Sequence, residues 1–294
     1  MSESSLKRSR RALTPYVLLL PACILILIFI YGVITGVLQG FGIMPSLGLT
    51  TFTLDYWAQA LSDSDLLASL GFSFWIAFVS ALIALVLGTV LCACLCVAKA
   101  TRLVQLLDLQ IPIMCAHLLV VLFVVAFFSG AGLWPRVLYA FGMLDSATDF
   151  NSVVGDPSGW GIILVYAWKE IPFVAFCCFA LMRNVSDTYI EAAASLGASP
   201  LRAFFTVTLP LCKGPLLKAF FIVFAFAFGA YEVPFLLGPS LPKALPVLAY
   251  IEFTSPDLLN RCFAMAINGI MVAISSLAAI GYFVVLRKEE RDRA

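Results

Sequence analysis

Three ionisable side chains fall inside the apolar runs of this sequence. Lys169 and Glu170 sit about ten residues into one run, near its middle at ~1.5 Å per helical residue. Glu232 sits in another, displaced toward its outer side. A charge at such depth is costly and normally faces a partner or a water-filled cavity. Two chemistries fit these residues. A Lys169–Glu170 or Lys169–Glu232 ion pair would fix helix packing. Alternatively, the three line a path for a polar solute, where two carboxylates against one lysine leave a small negative excess suited to a cation. Pro172 and Pro234 lie close by, and Gly229 and Gly238 flank Glu232. A broken helix lining a cavity needs such residues. Trp168, Tyr231 and Phe235 suit either cation–π contacts or core packing.

Other chemistry is thin. His117 is the only histidine, and a lone histidine builds no metal cluster. The nine cysteines read as small apolar packing residues, with Cys92 and Cys96 sharing a helix face at i, i+4. No CxxC pair supports a metal site. HExxH, GxSxG and paired catalytic aspartates are absent, which argues against an intramembrane enzyme. We therefore expect no catalytic residue, no metal ligand and no cofactor in this chain.

The elements that position these residues are set by composition. Of 294 residues, 62% are hydrophobic and 12% charged, about half the charge of a soluble domain. The net charge of +1 suggests no nucleic-acid partner. The solvent is a lipid bilayer, in which a spanning helix needs roughly 20 apolar residues. The sequence predicts an all-α, polytopic membrane protein with six spans, near 15–38, 70–97, 106–128, 159–182, 217–239 and 262–286. The first is too long for a signal-peptide core. A tail of residues 1–14 and another of 287–294 flank the transmembrane domain 15–286.

Lysine and arginine placement orients the spans. Lys7, Arg8, Arg10 and Arg11, then Lys99 and Arg102, then Arg183, Arg202, Lys213 and Lys218, then Arg287, Lys288, Arg291 and Arg293 share one side, predicted to be cytoplasmic. Both termini belong to it. The opposite loops hold Arg136, Lys243 and Arg261 against eight carboxylates, from Asp55 to Asp257. Pro112 and His117 predict a kink with one interior polar residue in the third span.

The loop 183–215 reads as two short helices around a sharp turn. Thr188 and Glu191 fit a capping box. Ala192, Ala193 and Ala194 favour helix and leave a slim surface, and Gly197 suits the left-handed residue that ends it. Ser199-Pro200 restarts a helix as N-cap and first helical position. Leu201, Phe204, Phe205 and Thr208 would form its apolar face, and Pro210 would close it. Such a hairpin either lies on the membrane surface or is a knob for another protein.

Glu191, Ala192, Ala193, Gly197, Val207, Leu209 and Pro210 together resemble the EAA loop of the integral membrane permease subunits of binding-protein-dependent ABC importers. Val207 stands where isoleucine is more usual. Trp168-Lys169-Glu170-Ile171-Pro172-Phe173, Gly229 to Gly238 and Leu245-Pro246-Val247-Leu248 are similar to spermidine/putrescine-type permeases, over roughly 69–285. The resemblance implies a MetI-like fold and a cytoplasmic coupling helix between the fourth and fifth spans. That helix would dock on a separate ATPase, with Glu191, Ala192, Ala193, Gly197, Leu209 and Pro210 at the contact. It implies two ATPase subunits binding ATP and Mg, a second permease that is related or identical, an extracytoplasmic binding protein and a bacterial inner-membrane location. The chain lacks a GxxxxGK[ST] phosphate loop, in keeping with a separate ATPase. Lys169, Glu170, Tyr231 and Glu232 would line the substrate path, with a polyamine as the favoured solute. The alternative is an ion-gradient-driven transporter that uses Lys169, Glu170 and Glu232 directly and leaves the Glu191–Pro210 pattern unexplained.

Overall fold

The computed structural model describes residues 3–98, 101, 106–146, 149–195 and 197–293. Lys99, Arg102 and Leu196 lie outside the described residues, as do the side chains of 3–17 and 184–194. Among the described residues the architecture is all helical, with one isolated bridge between Met44 and Leu49.

Five helices are long and apolar enough to cross a bilayer: Leu18–Gly40, Ser64–Cys96, His117–Ala140, Trp160–Arg183 and Asn260–Lys288. Leu201–Leu211 and Lys213–Gly229, joined at a 70° bend, give a sixth if counted as one span. The chain is thus a multi-pass membrane protein. The expected third and fifth spans are both interrupted.

Contacts divide the chain into two units, residues 1–61 with 252–269 and residues 62–251 with 270–294. In the first unit, helix α1 (Glu3–Gly40) ends where it meets the chain near Met265. A Cβ on Gly40 would stand 3.1 Å from the Ala266 nitrogen, so only glycine permits this approach without adjustment. Phe41 stacks on Phe52 at 5.0 Å and on Trp57 of α2 (Asp55–Ser62) at 5.2 Å. The Trp57 ring fills the place of a side chain at Gly269.

The second unit is built on α3 (Ser64–Val97) and α7 (Trp160–Ser195). The Asp63 carboxylate caps α3 by accepting the amides of Asp65 at 2.8 Å and Leu66 at 3.3 Å, so the helix starts six residues before the expected span. In lipid, apolar surface alone does not drive helices together, and close packing of small residues takes its place. Ser73, Ala77, Ser80, Ala81, Ala84 and Gly88 are all buried at helical spacing along α3. A Cβ on Gly88 would come within 2.9 Å of both the Ile171 carbonyl oxygen and Val174 Cβ, which marks the closest approach to α7. The buried Ser73 hydroxyl accepts the Leu245 amide at 2.6 Å and holds the start of α12 (Leu245–Phe253).

The third span begins with a π-helical turn, Leu106–Gln110, and the short α4 (Ile111–Met114). Cys115 and Ala116 are then extended, with ψ of 133° and 141°, before α5 (His117–Phe128). The chain next forms α6 (Leu133–Ala140) and reaches α7 through a loop anchored by Asp156. That carboxylate accepts the Ser158 hydroxyl and amide and the Trp160 amide. Burial works to raise its pKa, but these hydrogen bonds prevail and hold it below the usual carboxylate range.

Helix α7 runs unbroken for 36 residues through Pro172 and past Thr188. The expected capping box is therefore corrected. An N-cap needs non-helical backbone, and Thr188 is helical in mid-helix, with no Pro or Gly between Arg183 and Thr188 to start a new element.

Candidate functional site

Two places gather the residues singled out above. The first lies where the third and fifth spans break beside α7. Extended residues at 115 and 116 end α4 and leave the carbonyls of its last turn without helical partners. Lys169 of α7 reaches one of them: its Nζ donates to the Cys115 carbonyl oxygen at 2.5 Å. The same Nζ lies 3.4 Å from His117 Nδ1. An ammonium only donates, so Nδ1 is the acceptor and the imidazole proton sits on Nε2. That nitrogen is buried and without a partner, as is the hydroxyl of the fully buried Tyr166. The Phe226 ring stands between them, 5.3 Å from the His117 ring and 6.3 Å from that of Tyr166.

This placement bears on the ion-pair reading of Lys169. Neither Lys169–Glu170 nor Lys169–Glu232 forms an ion pair. Adjacent helical residues point apart, and the Lys169 ammonium is held by a backbone carbonyl instead. Glu170 is 8% exposed, beside Lys169 on α7. Neither carboxylate is thus ion-paired to Lys169 at contact distance.

The fifth span supplies the other side of this region. After α10 (Lys213–Gly229), Ala230 is extended with ψ 133°, and a short α11 (Glu232–Leu237) follows. The expected break around Glu232 is present, with Glu232 exposed in the first turn of α11. Tyr231 packs its ring 5.0 Å from Phe235 and 4.9 Å from Tyr250. These aromatics therefore form a half-exposed platform beside a carboxylate rather than separate core residues. Tyr166, Tyr250 and the Cys115 carbonyl were not among the residues expected here. The tyrosines sit in apolar runs like any packing residue, and a backbone carbonyl has no residue signature. The proline at 112 with a histidine five residues on was the available clue.

The second place is the turn after α7. Gly197 has φ +81°, the left-handed conformation expected of it. Ser199 then caps α8 (Pro200–Ala203): its hydroxyl accepts the Arg202 amide at 3.4 Å and its carbonyl accepts the Ala203 amide at 2.9 Å. The expected apolar face is rotated. Ala203, Phe204 and Thr208 are buried, whereas Leu201 and Phe205 are exposed. A π-helical turn, Phe204–Thr208, occupies this segment and departs from the regular helical spacing assumed for that face. Pro210 does not close the segment either. It lies inside α9 (Leu209–Leu211), and the chain turns at Cys212. A proline lacks the amide an α-turn would use, and the wider turn ahead of it accommodates that loss. Leu209 is half-buried and Pro210 exposed. The side chains of Glu191, Ala192 and Ala193 lie outside the described residues, although their backbone is helical.

Chains of known kind are similar to this one in sequence or in fold. No protein-family model matches the chain. It is 31% identical over 152 residues to the diacetylchitobiose uptake system permease protein DasB of Streptomyces coelicolor, a stretch that is 50% of this chain and 46% of that one. It is 30% identical over 128 residues to the molybdate/tungstate transport system permease protein WtpB of Methanocaldococcus jannaschii, 43% of this chain and 50% of that one. Both relatives are transport permeases. The chain spans about half the length of these curated relatives. Among solved structures it matches a chain of a bacterial alginate ABC transporter, crystallised with its alginate pentasaccharide-bound periplasmic protein. The TM-score is 0.75 at 18% identity, covering 97% of this chain and 96% of that one. The chain therefore shares that fold almost end to end.

Proposed function

We propose that this chain is the membrane-spanning permease subunit of an ATP-driven, binding-protein-dependent importer. The observation that carries the reading is the segment from Glu191 to Pro210. A helix leaving the bilayer ends in a left-handed glycine at 197, and a Ser199-capped helix follows. The names of the sequence relatives and the shared fold support the same reading. On this account the segment is cytoplasmic and docks in a separate ATPase through Glu191, Ala192, Ala193, Gly197, Leu209 and Pro210. Both termini are cytoplasmic and the membrane is the bacterial inner membrane. Two ATPase subunits bind ATP and Mg, a second permease completes the path, and an extracytoplasmic binding protein delivers the solute.

The solute meets the broken fifth span. Glu232, Tyr231 and Glu170 face or approach the path, while Lys169 serves as scaffold. Two carboxylates with no lysine in contact, beside an aromatic platform, support a cation such as a polyamine. The named cargoes of the relatives are a disaccharide derivative and oxyanions, and that of the fold neighbour an acidic polysaccharide. Uptake decides the matter. Proteoliposomes holding the purified complex should accumulate labelled solute only with ATP inside and binding protein outside. Uptake driven by an ion gradient without ATP would contradict the proposal.

A further inference from the structure

A short polar contact between α7 and the third span lies far from the Gly197 turn, yet it starts from the same helix. Lys169 is the tenth residue of α7, and Ser195 is its last. The stretch from Lys169 to Ser195 therefore belongs to one hydrogen-bonded rod, on the order of 40 Å at 1.5 Å per residue. At the far end of that rod the Lys169 ammonium, 8% exposed, holds the Cys115 carbonyl at the break in the third span. The contact joins residues 54 apart in sequence. It places a cation at the C-terminal end of α4, where carbonyl dipoles favour one. The adjoining His117 Nδ1 accepts from the same ammonium, so both sides of the break are tied to one side chain.

We propose that Lys169 is a positioning residue that pins the break at Cys115–Ala116 to α7, so that displacement of the Gly197 end of α7 reaches the third span through this contact. The inference rests on the function proposed above for its driving force. Its geometry does not depend on the identity of the solute. The structure shows the break pinned by one donor; coupling through it requires a second, released arrangement, which hydrogen exchange detects. Pro172, three residues beyond Lys169, removes one α-helical hydrogen bond and lets the rod flex locally without ending it.

Hydrogen exchange on the reconstituted complex tests this, read on peptides covering residues 111–120 in nucleotide-free and ATP-trapped states. The wild-type peptides should exchange at different rates in the two states. Lys169→Met keeps the stem and removes the donor. Its peptides should exchange roughly 10-fold faster, the scale of a lost charged hydrogen bond, and equally in both states. Lys169→Arg restores a donor and should restore the difference, an outcome that loosened packing alone does not produce. A difference that survives in Lys169→Met overturns the inference, as does a wild-type complex that hydrolyses ATP with no difference at all. A chain that binds no ATPase removes the proposed function as well, which separates the two failures.

Discussion

At residue scale the sharpest demand falls on Gly197. A side chain there would meet no atom within 4 Å, so its backbone alone objects to substitution. With φ at +81°, an L-residue costs about 1 kcal/mol. Gly197→Ala should lower uptake modestly, and Gly197→Asp, which adds a charge at the docking turn, should abolish it. Membrane insertion should be intact in both, since the turn lies outside the apolar spans. ATP-dependent uptake set against membrane-inserted protein measures both effects. Glu232→Gln should weaken transport of a cationic solute more than it disturbs assembly, and unchanged kinetics would mean that Glu232 lies off the path. Gly197 and Ser199 were legible in the sequence because turn and cap chemistry is local, contained within a few residues. The partner of Lys169 was not. It is a backbone carbonyl freed by a break whose position is set by packing, and two nearby carboxylates were the more visible candidates.

Element by element, the molecule depends on how closely α3 meets α7. Gly88→Ala puts a methyl group within 2.9 Å of the Ile171 carbonyl and Val174. Such overpacking costs typically 1–3 kcal/mol. Thermal unfolding in detergent, followed by tryptophan fluorescence, should show a lower midpoint for Gly88→Ala. A Gly71→Ala control, where a Cβ has open space inside the same helix, should unfold at or above the wild-type midpoint. Asp156 gives a pH signature to the entry of α7. Its folded pKa lies below the unfolded value, so its contribution is present above the unfolded pKa near 4 and is lost as pH falls through the folded pKa. Asp156→Asn should lower the neutral plateau of stability towards its acid value and so flatten the acid limb, as unfolding midpoints between pH 3 and 7 would record. The spans themselves were legible from hydropathy to within a few residues in four of six cases. The third and fifth carried an expected kink near Pro112 and an expected break around Glu232. A hydropathy window alone places neither at the extended pair Cys115–Ala116 nor at Ala230, because apolar residues carry the break. The continuous α7 was missed for the opposite reason. A favourable cap at Thr188 was read locally, while no Gly or Pro between Arg183 and Ser195 interrupts the helix that enters from the apolar span.

For the whole molecule, Leu18–Gly40 exposes apolar side chains all round, such as Leu18 at 74% and Phe29 at 72%. Lipid or a neighbouring subunit must cover that surface, which agrees with a chain that works inside a larger assembly. The central claim is that this assembly includes an ATPase gripped by the segment Glu191–Pro210. Affinity purification of the tagged chain from gently solubilised native membranes, with mass spectrometry of its companions, tests it most directly. The account predicts a stoichiometric ATPase that co-purifies with the wild-type chain and is lost from Glu191→Ala, with the second permease retained. A stable, intact complex with no ATPase, or an ATPase held equally well by Glu191→Ala and Gly197→Asp, would contradict it.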